Sequence, residues 1–205
     1  MLAALLLIVA VGLLWLVAVT AGDAPGDRRI DAWAQRLFYD WRVDGPRDGA
    51  AVLTWLVDSL KAIGDPLPAA LLTLGAVAAV ALRMGPRYGL LLLSAATVGL
   101  ATTAMKIVAP RPGVADGTPS FPSGHTAYAT AVLGTAAALA IERGHRRTAA
   151  AACAAIFLMG ATRVIGGGHW LSDVLAGYAL GGAWLLLILA FGMPWARRGG
   201  DGVKE

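Results

Sequence analysis

Apolar residues in this chain gather into long runs, approximately 2–21, 67–84, 88–106, 123–141, 148–164 and 170–192, each separated from the next by a polar or basic interval. A bilayer core takes about 20 helical residues, with a range of about 17 to 25, so each run is long enough, or nearly so, to span one. The interval after the first run has a different pattern. Ile30, Trp33, Ala34, Leu37, Phe38 and Trp41 recur at helical spacing with polar residues opposite. This predicts an amphipathic helix that either lies in the interface or packs its aromatic face on the protein's own spans. The segment 50–63 is apolar but short, carries Asp58 and Lys61 and stops at Pro66; it fits an interfacial piece, a re-entrant piece or an early extension of the second span. The fold class expected is all-α: a polytopic membrane protein of six transmembrane helices, with an extracytoplasmic interfacial helix between the first two spans.

The expected organisation is a single membrane domain over 1–205. It divides into a first span or signal anchor (1–21), an extracytoplasmic interfacial segment (22–66), a core of five spans (67–192) and a cytoplasmic tail (193–205). Val19-Thr20-Ala21 offers small residues at a cleavage site, but the first run lacks a basic leading region and is long for a signal peptide, which favours a retained span. Composition agrees: 58% hydrophobic against 15% charged side chains, with a mean hydropathy of +0.66, lies outside the range of ordinary soluble domains. The net charge of +4 does not point to nucleic acid, because the basic residues sit in short loops and the tail rather than along one face. Arg83 and Arg87, then Arg143, Arg146 and Arg147, then Arg197, Arg198 and Lys204 fall on the cytoplasmic side if the N-terminus is inside; Arg28 and Arg29 weigh the other way. The expected location is the cell (inner or plasma) membrane. Cys153, the lone cysteine, has no intrachain partner and reads as a small packing residue.

Three polar clusters interrupt this apolar background: Lys106 with Arg111-Pro112, Pro122-Ser123-Gly124-His125, and Arg163 with His169 and Asp173. Charged groups in hydrocarbon cost roughly 2.5 to 3.5 kcal/mol each at a helix centre, so their recurrence calls for a shared polar site. Six alternating spans bring all three to the extracytoplasmic face. His169 and Asp173 are four apart, so a helix beginning near Gly168 places them on one face, where the carboxylate holds one ring N–H and leaves the other nitrogen to attack. Gly166-Gly167-Gly168 permits a tight path into that helix. Pro122, Ser123 and Gly124 stand where a loop becomes a helix, an arrangement that leaves N–H groups directed at a phosphate; ordinary capping explains the same letters. His125 is placed to donate a proton. Lys106, Arg111 and Arg163 supply cations for a dianion, although Lys106 taken alone also fits interfacial snorkelling.

These residues resemble the type 2 phosphatidic acid phosphatase superfamily, whose membrane members carry a Lys/Arg-Pro motif, a Pro-Ser-Gly-His motif and an Arg-x5-His-x3-Asp motif. The second and third appear here with full spacing, and the resemblance spans about residues 67–190. Thr162 stands where the family usually has serine. Four residues separate Lys106 from Arg111, where the family usually has six. Either the loop is shortened, or Arg111 is the earlier arginine of a doubled motif whose second position is Gly113. The resemblance implies His169 as the nucleophile that becomes a phosphohistidine, Asp173 as its orienting group and His125 as general acid. It also implies Lys106, Arg111, Ser123, Gly124 and Arg163 as phosphate-binding residues, with no metal or other cofactor required.

The expected function is hydrolysis of a lipid phosphate monoester or diphosphate at the membrane surface. Undecaprenyl diphosphate is the first substrate choice, followed by phosphatidylglycerophosphate or phosphatidic acid, and a lipid phosphotransferase is a variant. Its partners are then the lipid phosphate substrate and membrane lipids. Two other classes remain: a metalloprotein holding a metal on His125, His169 and Asp173, which the surrounding cations disfavour, and a transporter or membrane scaffold. Gly177 and Gly181 form a small-x3-small pair that serves helix packing under every reading.

Overall fold

A computed structural model describes residues 9, 12, 29–44, 47–114 and 118–198. Apart from residues 9 and 12, the expected first span over 2–21 lies outside the described residues, as do positions 199–205 of the expected tail. The described chain is all-helical; its one pairing of extended backbone is an isolated bridge between Pro112 and Pro119. Helix α1 runs over Arg29–Ala34 and continues through a π-helical turn, Gln35–Asp40, into Trp41–Asp44. It is followed by α2 (Arg47–Ile63), α3 (Pro66–Met84) and α4, whose halves Pro86–Ala96 and Val98–Val108 join at Thr97. Next come α5 (Gly124–Glu142), α6 (Arg146–Ile165) and α7, which runs over Leu171–Leu187, a π turn at Ile188–Gly192 and Met193–Arg198. Pro66 and Pro86 open α3 and α4, where their missing N–H removes no helix bond.

Four of these helices are long and apolar enough to cross a membrane: α3, α4, α6 and α7. Their outward side chains explain the composition. Leu67, Leu71, Leu72 and Leu82 on α3, Leu100 and Ile107 on α4, and Phe157 on α6 all face away from the protein. So many large apolar side chains facing outward are costly in water; in lipid they are matched to their solvent. Helix α5 is 19 residues long, but His125 and its threonines dilute its hydropathy. It sits at the centre, against α4, α6 and α7, with more than half its residues buried, many of them alanine or glycine. A helix surrounded by protein rather than lipid needs small residues for close approach more than it needs bulk.

The α5–α7 contact shows this directly. A Cβ at Gly177 would stand 2.7 Å from the Ser123 carbonyl oxygen, and one at Gly181 would stand 2.5 Å from that of Ala127. The expected small-x3-small packing is therefore present, and it brings α7 onto the start of α5. At the far end of the bundle Arg197 Nε donates to Glu142 Oε1 at 2.7 Å, tying α7 to α5. Met193 and Ala196 are buried, so α7 continues to Arg198, into the segment expected as tail.

Two readings left open by the sequence are narrowed. Segment 50–63 belongs to a separate helix, α2, which the Gly64-Asp65 turn divides from α3. On α1 the aromatic face does not turn inward: Ile30, Trp33, Leu37 and Phe38 are exposed, whereas Asp31 and Ala34 are buried. Ala34 packs on Val164 of α6 and Val174 of α7 because its small side chain admits the neighbouring helices.

Candidate active site

The turn between α6 and α7 carries the third polar cluster. Gly167 takes φ +71°, which lets the chain reverse within a few residues, and the His169 N–H donates to the Arg163 carbonyl at 3.3 Å. The expectation of a helix from Gly168 with His169 and Asp173 on one face is corrected here: α7 begins at Leu171, and His169 stays in the turn. The cause is Asp173, whose Oδ2 reaches back to accept the Trp170 N–H at 3.1 Å and closes the helix start there. His169 Nδ1 nevertheless lies 3.7 Å from the same Oδ2. That is beyond hydrogen-bond distance; the carboxylate faces Nδ1, and Nε2 is the ring nitrogen not turned to Asp173.

The other Asp173 oxygen is held by Arg111. Its Nη1 donates to Asp173 Oδ1 at 2.8 Å and to Ser172 Oγ at 2.9 Å, and its guanidinium lies 4.7 Å from the centre of the Phe121 ring. Ser172 in turn donates its hydroxyl to Asp31 Oδ2 at 2.7 Å and its N–H to Asp31 Oδ1 at 2.8 Å. One buried polar chain therefore runs from α1 through Ser172 and Arg111 to Asp173 and His169. The loop after α4 presents Arg111 for this. Ser120 donates its N–H (2.7 Å) and its hydroxyl (3.1 Å) to the Arg111 carbonyl, and Trp170 Nε1 donates to the Pro112 carbonyl at 2.9 Å. Across the four-residue interval from Lys106, the guanidinium thus arrives on the Asp173 carboxylate.

Ser123 precedes α5 without a side-chain cap. Its N–H, expected to point outward, donates instead to the Asp173 carbonyl at 3.0 Å, a consequence of the close approach at Gly177. Its hydroxyl, fully buried, accepts from Thr126 Oγ1 at 3.0 Å. Gly124 and His125 follow on the first turn of α5 and border a cavity of about 450 Å³ with Gly64, Thr102, Lys106 and Tyr128. His125 Nε2 stands 3.6 Å from Asp65 Oδ1 and lies within electrostatic range of Arg163 and His169. Arg163 is 4% exposed, and its Nε and Nη2 are buried without a hydrogen-bond partner among the described residues. A buried guanidinium with idle donors is costly unless an anion completes it.

The three clusters thus meet around one site: Lys106, Gly124 and His125 at the cavity, Arg163 and His169 beside them, and Arg111, Ser123 and Asp173 behind. Among the described residues no three His, Cys, Asp or Glu side chains gather as a metal-binding group. Asp173 is engaged by Arg111 and by the Trp170 N–H. Sequence reasoning missed Asp31, Ser172 and Asp65. Nothing in the spacing links position 31 to 172, whereas Asp65, between a glycine and the proline that opens α3, carried a readable signal of a helix start.

The PAP2 superfamily sequence model matches residues 87–197, the stretch from α4 to the end of α7 that contains every site residue expected from the motifs. The chain belongs to the PAP2 superfamily. A solved structure, described as the first transmembrane PAP2 type phosphatidylglycerolphosphate phosphatase from Bacillus subtilis, is similar with a TM-score of 0.69 and 22% identity, covering 96% of this chain and 97% of that one. At that identity the likeness shows the fold, a PAP2-type membrane phosphatase fold over nearly the full length. No protein of curated function matches the chain.

Proposed function

We propose that this protein is a metal-independent lipid phosphatase that works through a phosphohistidine at His169. The observation that carries the reading is Arg163, a buried guanidinium with two unpartnered N–H directions beside the His169–Asp173 pair. Asp173 faces Nδ1 across 3.7 Å, and in this reading the gap closes on substrate binding to hold that nitrogen, so His169 Nε2 attacks phosphorus, forming the N–P bond as the P–O bond to the lipid breaks. His125 gives its proton to the departing oxygen. In the second half His125 takes a proton from water as that water breaks the N–P bond, releasing phosphate and restoring both histidines. Arg163, Lys106 and the first-turn N–H of Gly124 stabilise the charge on the equatorial oxygens, the main task in phosphoryl transfer. Ser123 supports that turn. Arg111, with Nη1 on Asp173, fixes the carboxylate that orients the nucleophile, in addition to the phosphate contact expected of it.

The topology proposed is six spans, with 2–21 as the first and α3 to α7 as the others, in the cell membrane. Connectivity supports it: Arg83, Arg87, Arg143, Arg146, Arg147, Arg197 and Arg198 all lie at the helix ends opposite the site, so the positive-inside rule puts the site on the extracytoplasmic face. The exposed Trp33, Leu37 and Phe38 support an interfacial α1. The substrate is a lipid phosphate. The similar Bacillus subtilis protein is described as acting on phosphatidylglycerolphosphate, which makes that monoester a leading candidate beside undecaprenyl diphosphate.

The test is phosphate release from a panel of lipid phosphates by purified protein. Activity is expected to survive chelator, to fall with vanadate and to disappear in His169→Ala; full activity in that variant refutes the mechanism.

A further inference from the structure

The turn between α2 and α3 lies against the general acid. A Cβ on Gly64 would stand 2.6 Å from His125 Cδ2, so the turn backbone rests on the imidazole ring. The next residue, Asp65, turns its carboxylate toward His125 Nε2 at 3.6 Å. Asp65 makes no side-chain cap to α3 and is 52% exposed, so helix capping and core packing do not account for it. The other charged or titratable groups facing His125 are Arg163 from α6 and His169 from the α6–α7 turn, with Lys106 of α4 lining the same cavity. Among the described residues, Asp65 is thus the one acidic group that faces the ring.

We propose that Asp65 sets the leaving-group preference of the site, favouring lipid phosphate monoesters, whose leaving group is an uncharged alcohol, over lipid diphosphates, whose leaving group is the anionic lipid phosphate. The inference rests on the reading of His169 as nucleophile and His125 as general acid. A general acid sits about 2.6 to 3.2 Å from the oxygen it protonates. With Nε2 at 3.6 Å from the carboxylate, the departing oxygen lies no more than about 7 Å from Asp65.

In the monoester reaction the N–P bond forms at His169, the P–O bond breaks, and the alkoxide takes the His125 proton and leaves as a neutral alcohol. In the diphosphate reaction the same bonds form and break, but the departing group is a phosphate that keeps its negative charge beside a carboxylate. Arg163 lies within electrostatic range of Asp65 as well as of His125, so it weakens the field of the carboxylate, but it does so for both substrates alike and leaves the difference between an uncharged and a charged leaving group. An alcohol also needs the proton from the acid, whereas a phosphate can leave as an anion.

The test uses the full-length protein in detergent micelles with phosphatidic acid and diacylglycerol diphosphate, two probes that share one lipid and differ in the leaving group. Asp65→Asn is expected to raise the ratio of kcat/KM for diphosphate over monoester by roughly tenfold, the scale of a screened charge pair at this separation, while Asp65→Glu keeps the wild-type ratio. Because both rates come from one preparation, partial unfolding cancels. An unchanged ratio in Asp65→Asn overturns the proposal, and so does equal loss of both activities in a folded variant. His169→Ala is run alongside: activity remaining there refutes the phosphohistidine reading itself, whatever Asp65 does.

Discussion

Replacing Asp31 with alanine tests whether α1 is part of the catalytic apparatus or merely rests on it. Asp31 is 1% exposed and accepts two hydrogen bonds, both from Ser172, at 2.8 and 2.7 Å. Hydrogen bonds to a charged group contribute about 1.5 to 3 kcal/mol each. Both donors belong to one residue, so the lower end applies, and Asp31→Ala should lose about 3 kcal/mol. For a chain of this size that corresponds to a fall in Tm of roughly 6 to 12 °C. The second consequence is kinetic. Ser172 Oγ accepts from Arg111 Nη1, and the same nitrogen holds Asp173. Freeing Ser172 loosens that arrangement by one bond of about 1.5 kcal/mol, so kcat should fall by about tenfold. Asp31→Asn keeps an acceptor for the Ser172 N–H and should lose less of both. Thermal unfolding in detergent, read beside phosphate release, checks the two effects separately. A Tm and kcat equal to wild type in Asp31→Ala would refute the argument; a lowered Tm with unchanged kcat would confine α1 to a structural role.

Two further outcomes follow from the same geometry. Arg163→Ala should lower kcat/KM by about 10²- to 10³-fold, the scale of removing one preorganised donor from a developing oxyanion, and inorganic phosphate should then compete less well in an inhibition assay. Gly181→Ala, whose added methyl would stand 2.5 Å from the Ala127 carbonyl oxygen, should reduce the yield of monodisperse protein by size-exclusion chromatography. Gly75→Ala on α3, where no atom lies within 4 Å, should not.

The membrane-spanning runs were legible because hydrocarbon imposes length and apolarity on each span independently of its neighbours. Helices α3, α4 and α6 appear close to where the apolar runs placed them. The motif residues were legible too, since ionisable groups are rare in such a sequence and their spacing is distinctive. Their mutual geometry was less so. The spacing of His169 and Asp173 suggested one helical face, yet Asp173 closes the helix after His169, and the two meet across a turn. Ser123 suggested a free N–H, but the Gly177 contact brings the Asp173 carbonyl onto it.

The sequence by itself determined that this chain is helical, that it is apolar in long runs, and which few polar residues carry its chemistry, because each of those properties depends on local composition and spacing. Only the tertiary structure decided which cation holds the carboxylate and which is left with idle donors. It also decided that Asp31 and Asp65, remote from every motif, sit beside Ser172 and His125. Those pairings depend on how closely helices approach, and that distance is set by small residues such as Gly64, Gly177 and Gly181 meeting backbone or ring on another helix. No one-dimensional spacing encodes it.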